Sequence, residues 1–296
     1  MQTPTADAGD VTLAYETFGS PDDPALVLVM GIATQMIAWP AELCQGLADA
    51  GFYVIRFDNR DIGLSTHLDD AGTPDLGALL SGGPRTAPYV LADMAKDTVG
   101  LLDALGLDRV HLVGLSMGGM IAQEVAIHHP DRLISLTSIM STPSANVGEP
   151  TPEALAALLP PAPETDAEAA ELAVNTYRVI GSPAYPLNEA RLRLLGRESF
   201  RRSHDPAGVS RQFAALLASP DRRPALRSLD VPTLVIHGEE DPLIQPEGGR
   251  ETAAAVPGAR LVTYPGMGHD LPEELWPDIM GEITEHARRA AKEALR

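Results

Sequence analysis

In the stretch HLVGLSMGGM, residues 111 to 120, a serine stands between two glycines where an apolar run gives way to helical spacing. Few folds accommodate that arrangement. A strand that turns at once into a helix lifts the serine out at its apex, and the positions two before and two after it crowd together. Both therefore favour residues without a Cβ. Gly114 and Gly118 meet the requirement and Gly119 adds room. HLVGL reads as the strand, and MIAQEVAIHH, with Met120, Ile121 and Val125 on one side, as the helix. The helix would set its positive end and free N–H groups beside Ser116.

The rest of the chain repeats this alternation. Strands are expected at 11–18, 25–31, 52–58, 109–116, 132–140, 233–238 and 260–266, several of them continuous apolar runs of the kind buried on both faces. Helical stretches lie between them. In 88–107, Val90, Met94, Leu101 and Leu105 form an apolar stripe with a gap at Thr98, and Leu275, Ile279, Ile283 and Ala287 repeat the device near the C-terminus. The pattern is that of an α/β protein built on a parallel sheet. Between 142 and 228 it breaks: Pro, Ala, Glu and Leu dominate and no strand is evident, which predicts a helical insertion entered through a Pro-rich loop and short helices. The expected division is a core of 1–141 and 229–296 with an inserted lid at 142–228.

A net charge of −19 repels phosphate backbones and anionic lipid, so neither nucleic acid nor membrane is an expected partner. No apolar run reaches the roughly 18 to 20 residues of a membrane span, and MQTPTADAGD has no secretory character, so a cytoplasmic location is expected. Cys44 is the single cysteine, which rules out an intramolecular disulfide and leaves it a packing role.

A serine hydroxyl needs a base to become a nucleophile, and the base needs an orienting acid. Of eight histidines, His111, His128, His129, His204 and His286 lie where packing, capping or surface roles suffice. His67 in a loop and His237 at a strand end cannot be dismissed on placement, but His269 fits best. It follows the last strand in the glycine-rich YPGMGHDLP and can reach over the carboxyl ends of the sheet. For the acid, HGEEDPLI offers three carboxylates; Asp241, fixed at a turn by Pro242, is favoured over Glu239 and Glu240. The chain order is then Ser116, Asp241, His269. Backbone donors for an oxyanion are expected from the amides of Met117 and Ile32, with Gly31 allowing close approach.

Taken together, VLVMGIATQMIAWP, VIRFDNRDIGLST, HLVGLSMGG, VPTLVIHGEEDPLI and PGMGHDLP resemble the α/β-hydrolase superfamily, and within it bacterial esterases of the aclacinomycin methylesterase type. The resemblance implies an eight-stranded, mostly parallel sheet with a helical cap, and a cofactor-free, metal-free serine esterase. Two segments depart from the wider superfamily. Met30-Gly31 stands where many relatives carry His-Gly, and Asp61-Ile62-Gly63 where others carry Arg-Gly-x-Gly, in a loop that Asp58 and Arg60 are expected to brace. The expected substrate is a small-molecule, neutral carboxylic ester, with methyl esters of bulky apolar acids included. Met30, Tyr177, Tyr185, Phe200 and Phe213 are candidates to line its pocket. A perhydrolase or C–C bond hydrolase on the same three residues, and a non-catalytic ligand-binding member of the fold, stay open as alternatives. The chain is expected to act as a monomer or homodimer.

Overall fold

In chain order, the computed structural model comprises β1 (Thr5–Asp7), β2 (Thr12–Phe18), β3 (Ala25–Val29), α1 (Ala41–Asp49), β4 (Tyr53–Phe57), α2 (Leu76–Leu80), α3 (Leu91–Ala104), β5 (Val110–Leu115), α4 (Met117–His128) and β6 (Leu133–Ile139). There follow α5 (Pro152–Leu158), α6 (Asp166–Ile180), α7 (Glu189–Arg202), α8 (Pro206–Ala218), α9 (Arg223–Leu226), β7 (Thr233–Gly238), α10 (Glu247–Ala255), β8 (Arg260–Tyr264) and α11 (Trp276–Ala294). Short 3-10 turns join some of these. Residues 3–294 are described, apart from 82, 84 and 85.

The eight strands form one sheet in the order β1-β2-β4-β3-β5-β6-β7-β8. Pairing is antiparallel from β1 to β2 and from β2 to β4, and parallel across the remaining pairs. Seven strands coincide with the apolar runs of the sequence. The eighth, β1, escaped that reading because Thr-Ala-Asp is three residues long, exposed-buried-exposed, and held by pairing with Leu13 and its neighbours rather than by an apolar run of its own.

All five residues of β3 are buried, as are all six of β7. Successive side chains of a strand point to opposite faces, so each strand feeds two cores. Val27 and Val29 join α3 and α4 on one face, whereas Leu26 and Leu28 join α1 and α11 on the other. The stripes anticipated on α3 and α11 are the ones that dock: Met94, Leu101, Ile279 and Ile283 are each at most 1% exposed. The gap at Thr98 is also buried, its hydroxyl donating to Met94 O at 3.1 Å, so no polar group is stranded.

Between β6 and β7 the described residues hold five helices and no strand. Two of these are longer than expected from the Pro-rich sequence, α6 with 15 residues and α7 with 14, because side-chain caps restart the chain after the breakers. Thr165 accepts from Glu168 N and Asn188 from Arg191 N. No helix of the described residues is long and apolar enough to cross a membrane.

Candidate active site

Ser116 follows β5 at the centre of the sheet with φ 56° and ψ −122°, a conformation that costs on the order of 1–3 kcal/mol for a residue with a Cβ. The surroundings over-determine it. Ser116 N donates to Ile139 O at 2.9 Å, and Ser141 Oγ donates to Ser116 O at 2.8 Å. A Cβ on Gly114 would overlap the Gly118 carbonyl, and one on Gly118 would overlap the carbonyls of Val29 and Met30. The turn is thus wedged against the end of β3, where Gly31 brings the next loop beside the serine: a Cβ there would lie 3.6 Å from Ser116 Oγ.

The loops after β7 and β8 carry the other two expected residues to the same place. His269 Nε2 lies 3.0 Å from Ser116 Oγ, and His269 Nδ1 lies 2.7 Å from Asp241 Oδ2. A carboxylate only accepts, so Nδ1 carries the proton and Nε2 is free to accept from the serine hydroxyl. The other oxygen, Asp241 Oδ1, accepts from Leu243 N and Ile244 N, both at 2.9 Å, which fixes the carboxylate's orientation. Ser116, Asp241 and His269 are 6%, 2% and 6% exposed, so their hydrogen bonds work in a poorly solvated setting. Glu239 and Glu240 are exposed, as expected.

Most of the remaining histidines have other partners. His111 Nδ1 meets Ser135 Oγ, His286 Nε2 meets the carbonyls of Leu136 and Pro232, His128 pairs with Glu124, and His204 stacks on Phe200. His237 sits beneath the site, donating to Ile244 O at 2.8 Å with its Nε2 3.6 Å from Asp241 Oδ2. Burial, outweighing the pull of Asp241, holds its pKa below the usual value and keeps the ring neutral. It therefore braces the acid's turn without competing for the carboxylate's charge.

Among the described residues no protein acceptor takes the amides of Ile32 or Met117. The next residue, Ala33, has φ 58°, and its amide donates to Gln212 Oε1 at 3.0 Å, while Gln212 Nε2 donates to Arg60 O at 2.9 Å. Asn59 Nδ2 donates to Met30 O at 2.9 Å. Gln212 on α8 and Asn59 after β4 thus hold the loop that carries Ile32, and nothing in their local sequence signals it.

The Asp58–Arg60 segment braces its neighbours as expected: Asp58 accepts from Met36 N, Leu64 N and Arg202, and Arg60 forks onto Asp97 at 2.5 and 2.6 Å. Asp61 has φ 67° and meets Tyr89, Leu68 N and Arg211. Asp61, His67 and Asp205 lie close enough together to suggest a metal site. A guanidinium already bridges two of them, Arg211 Nη2 lying 2.8 Å from Asp61 and 3.1 Å from Asp205, so the cluster is charge-compensated by protein.

A cleft of about 630 Å³ is lined by Leu115, Tyr177, Leu187, Leu195, Asp270 and Trp276 among others; it takes in the chain neighbours of Ser116 and His269 but not those two residues themselves. Of the five pocket candidates only Tyr177 is among its lining residues. Met30 and Phe213 are instead packed into the two cores, Tyr185 donates to Pro265 O, and Phe200 stacks on His204, each satisfied by the fold itself. A second groove, about 700 Å³ between α1 and α11, includes none of the residues above in its lining.

Residues 24–274 match the model of the alpha/beta hydrolase fold family. The chain belongs to the α/β-hydrolase family. The hydrolase is 30% identical to rhodomycin D methylesterase of Streptomyces sp. (strain C5), covering 98% of this chain and 99% of the relative. It is also 30% identical to rhodomycin D methylesterase of Streptomyces peucetius, covering 95% and 96%. Among solved structures it is similar to the enol-lactonase from Burkholderia xenovorans LB400, with TM-score 0.74, 26% identity and coverage of 96% and 99%. The hydrolase is therefore of the esterase type.

Proposed function

We propose that the hydrolase cleaves neutral carboxylic esters through an acyl-enzyme intermediate, with Ser116 as nucleophile, His269 as base and Asp241 as the acid that orients it. The observation that carries the proposal is the continuous relay of 3.0 Å from serine hydroxyl to imidazole and 2.7 Å from imidazole to carboxylate. His269 Nε2 takes the Ser116 proton as Oγ bonds to the ester carbon. The oxyanion is met by the amides of Ile32 and Met117, each such donor being worth about 10² to 10³ in rate. Collapse breaks the bond to the alkoxy oxygen, which leaves with the proton from His269. Water, deprotonated by the same nitrogen, then attacks the acyl-enzyme, and Ser116 departs with its proton restored.

The cleft next to Leu115 and Asp270 has apolar walls from Leu115, Leu187, Leu195 and Trp276 alongside the charged Glu42, Arg56, Arg191 and Asp270, which suits an acyl part that is large and partly apolar. Together with the likeness to two methylesterases, this supports methyl esters of bulky apolar acids as the substrate class. Helices α5 to α8 would form the lid over that cleft, spanning the 142–228 insertion. The test is hydrolysis of a panel of p-nitrophenyl and methyl esters, from acetate to bulky aromatic acids, by the wild type and Ser116→Ala. Rates that rise with acyl bulk and vanish in the variant are expected; equal rates in both proteins would sink the assignment.

A further inference from the structure

The loop that carries His269 is tied on one side to the turn at the end of β7, where Glu240 N donates to Met267 O at 3.0 Å, and on the other to the chain at the end of α6 and just beyond it. His269 N donates to Ile180 O at 2.7 Å, and the preceding amide, Gly268 N, donates to Ser182 Oγ at 2.9 Å. The following side chain closes the circuit, Ser182 Oγ donating to Asp270 Oδ1 in a short hydrogen bond. Ser182 thus serves residues 268 and 270 at once, as acceptor for one and donor to the other, while its neighbour Ile180 takes residue 269.

The approach is backbone to backbone. A Cβ on Gly268 would overlap the Gly181 carbonyl, and one on Gly181 would overlap the Tyr177 carbonyl. Two further bonds continue the strap, Ala184 N to Gly266 O and Tyr185 Oη to Pro265 O, both at 3.3 Å. Ser182 is 9% exposed, so an unpaired hydroxyl or amide there would not be compensated readily by water. On the ring side, His269 has hydrogen bonds only to Asp241 and Ser116 among the described residues.

Resting on the serine-esterase reading above, we propose that Ser182 and Asp270 are positioning residues that set the register of His269 against Ser116. The inserted helices thereby complete the catalytic geometry in addition to covering the cleft. Loss of the strap lets the imidazole drift from its 3.0 Å contact, and misplacement by about 1 Å costs on the order of 10²-fold in rate.

The experiment compares wild type, Ser182→Ala, Ser182→Thr and Asp270→Ala in three readouts: kcat and KM on p-nitrophenyl acetate and on a bulky methyl ester, the rate of Ser116 phosphonylation by a fluorophosphonate, and the thermal midpoint. Ser182→Ala is expected to lose about 10- to 10²-fold in kcat equally on both esters with KM unchanged, and to label proportionally more slowly. Ser182→Thr, which keeps the hydroxyl, should restore most of the rate, and Asp270→Ala should fall in the same direction. Unchanged kcat and labelling in Ser182→Ala and Asp270→Ala would overturn the proposal, as would a loss confined to the bulky ester, which would make these residues substrate contacts. A loss that follows the thermal midpoint and is not restored by threonine would also overturn it. Failure of the wild type itself to label would instead overturn the serine-esterase reading.

Discussion

Lowering the pH from 7 to 5 should weaken the fold through two histidines that have no part in the reaction. His111 and His286 are 2% and 1% exposed, and each is held down to a pKa of about 4. Burial is the main cause in both. For His111 the nearby His286 and Arg109 add to it; for His286 Arg289 adds to it while the Leu136 and Pro232 carbonyls pull the other way. The ordinary value is about 6.5, so the folded protein binds these protons less readily than the unfolded chain. Their contribution is present above pH about 6.5 and is lost as the pH falls toward 4. At pH 5 the linkage amounts to about 2 kcal/mol for each ring, against a total stability of roughly 5–15 kcal/mol for a domain. His286→Gln removes the titration while keeping an N–H that can reach the Leu136 carbonyl. Urea unfolding of both proteins at pH 7 and pH 5 should show the wild type losing about 2 kcal/mol more than the variant. The same loss in both would refute the assignment of acid sensitivity to a ring buried in its neutral form.

Three further outcomes test the site's supports. Gln212→Ala frees the Ala33 amide and the Arg60 carbonyl and should lower kcat about 10-fold, because the loop bearing Ile32 loosens, together with a stability loss of about 1–3 kcal/mol in urea unfolding from the buried groups left unpaired. Arg211→Met strands Asp61 and Asp205 without their shared cation and should cost about 3–5 kcal/mol in urea unfolding. Gly118→Ala drives a methyl group into the Val29 and Met30 carbonyls and should abolish most ester hydrolysis, whereas Gly281→Ala, whose Cβ meets open space on α11, should leave it unchanged.

Much of this architecture was legible in the sequence because its signals are local. The glycines of the elbow, the apolar strands and the stripes of α3 and α11 each state their burial within a few residues. That Ser116, Asp241 and His269 meet was legible for the same reason, since each sits in a turn that follows a strand. β1 was not, because its stability comes from pairing with β2. Gln212, Asn59, Ser182 and Asp270 were not, because what they do depends on partners up to 179 residues away, Gln212 to Ala33 being the longest. The pocket candidates could not be sorted in the sequence for a related reason. An aromatic residue has the same appearance in sequence whether it lines a cleft, as Tyr177 does, or fills a core, as Phe213 does.

The central claim is that Ser116 becomes covalently acylated during turnover. Mass spectrometry of the enzyme quenched during hydrolysis of a slowly deacylating bulky aromatic ester tests it directly. The account predicts a mass increase equal to the acyl group, located on the peptide containing Ser116 and absent from Ser116→Ala. Undiminished turnover with no adduct, or with the adduct on another residue, would contradict it.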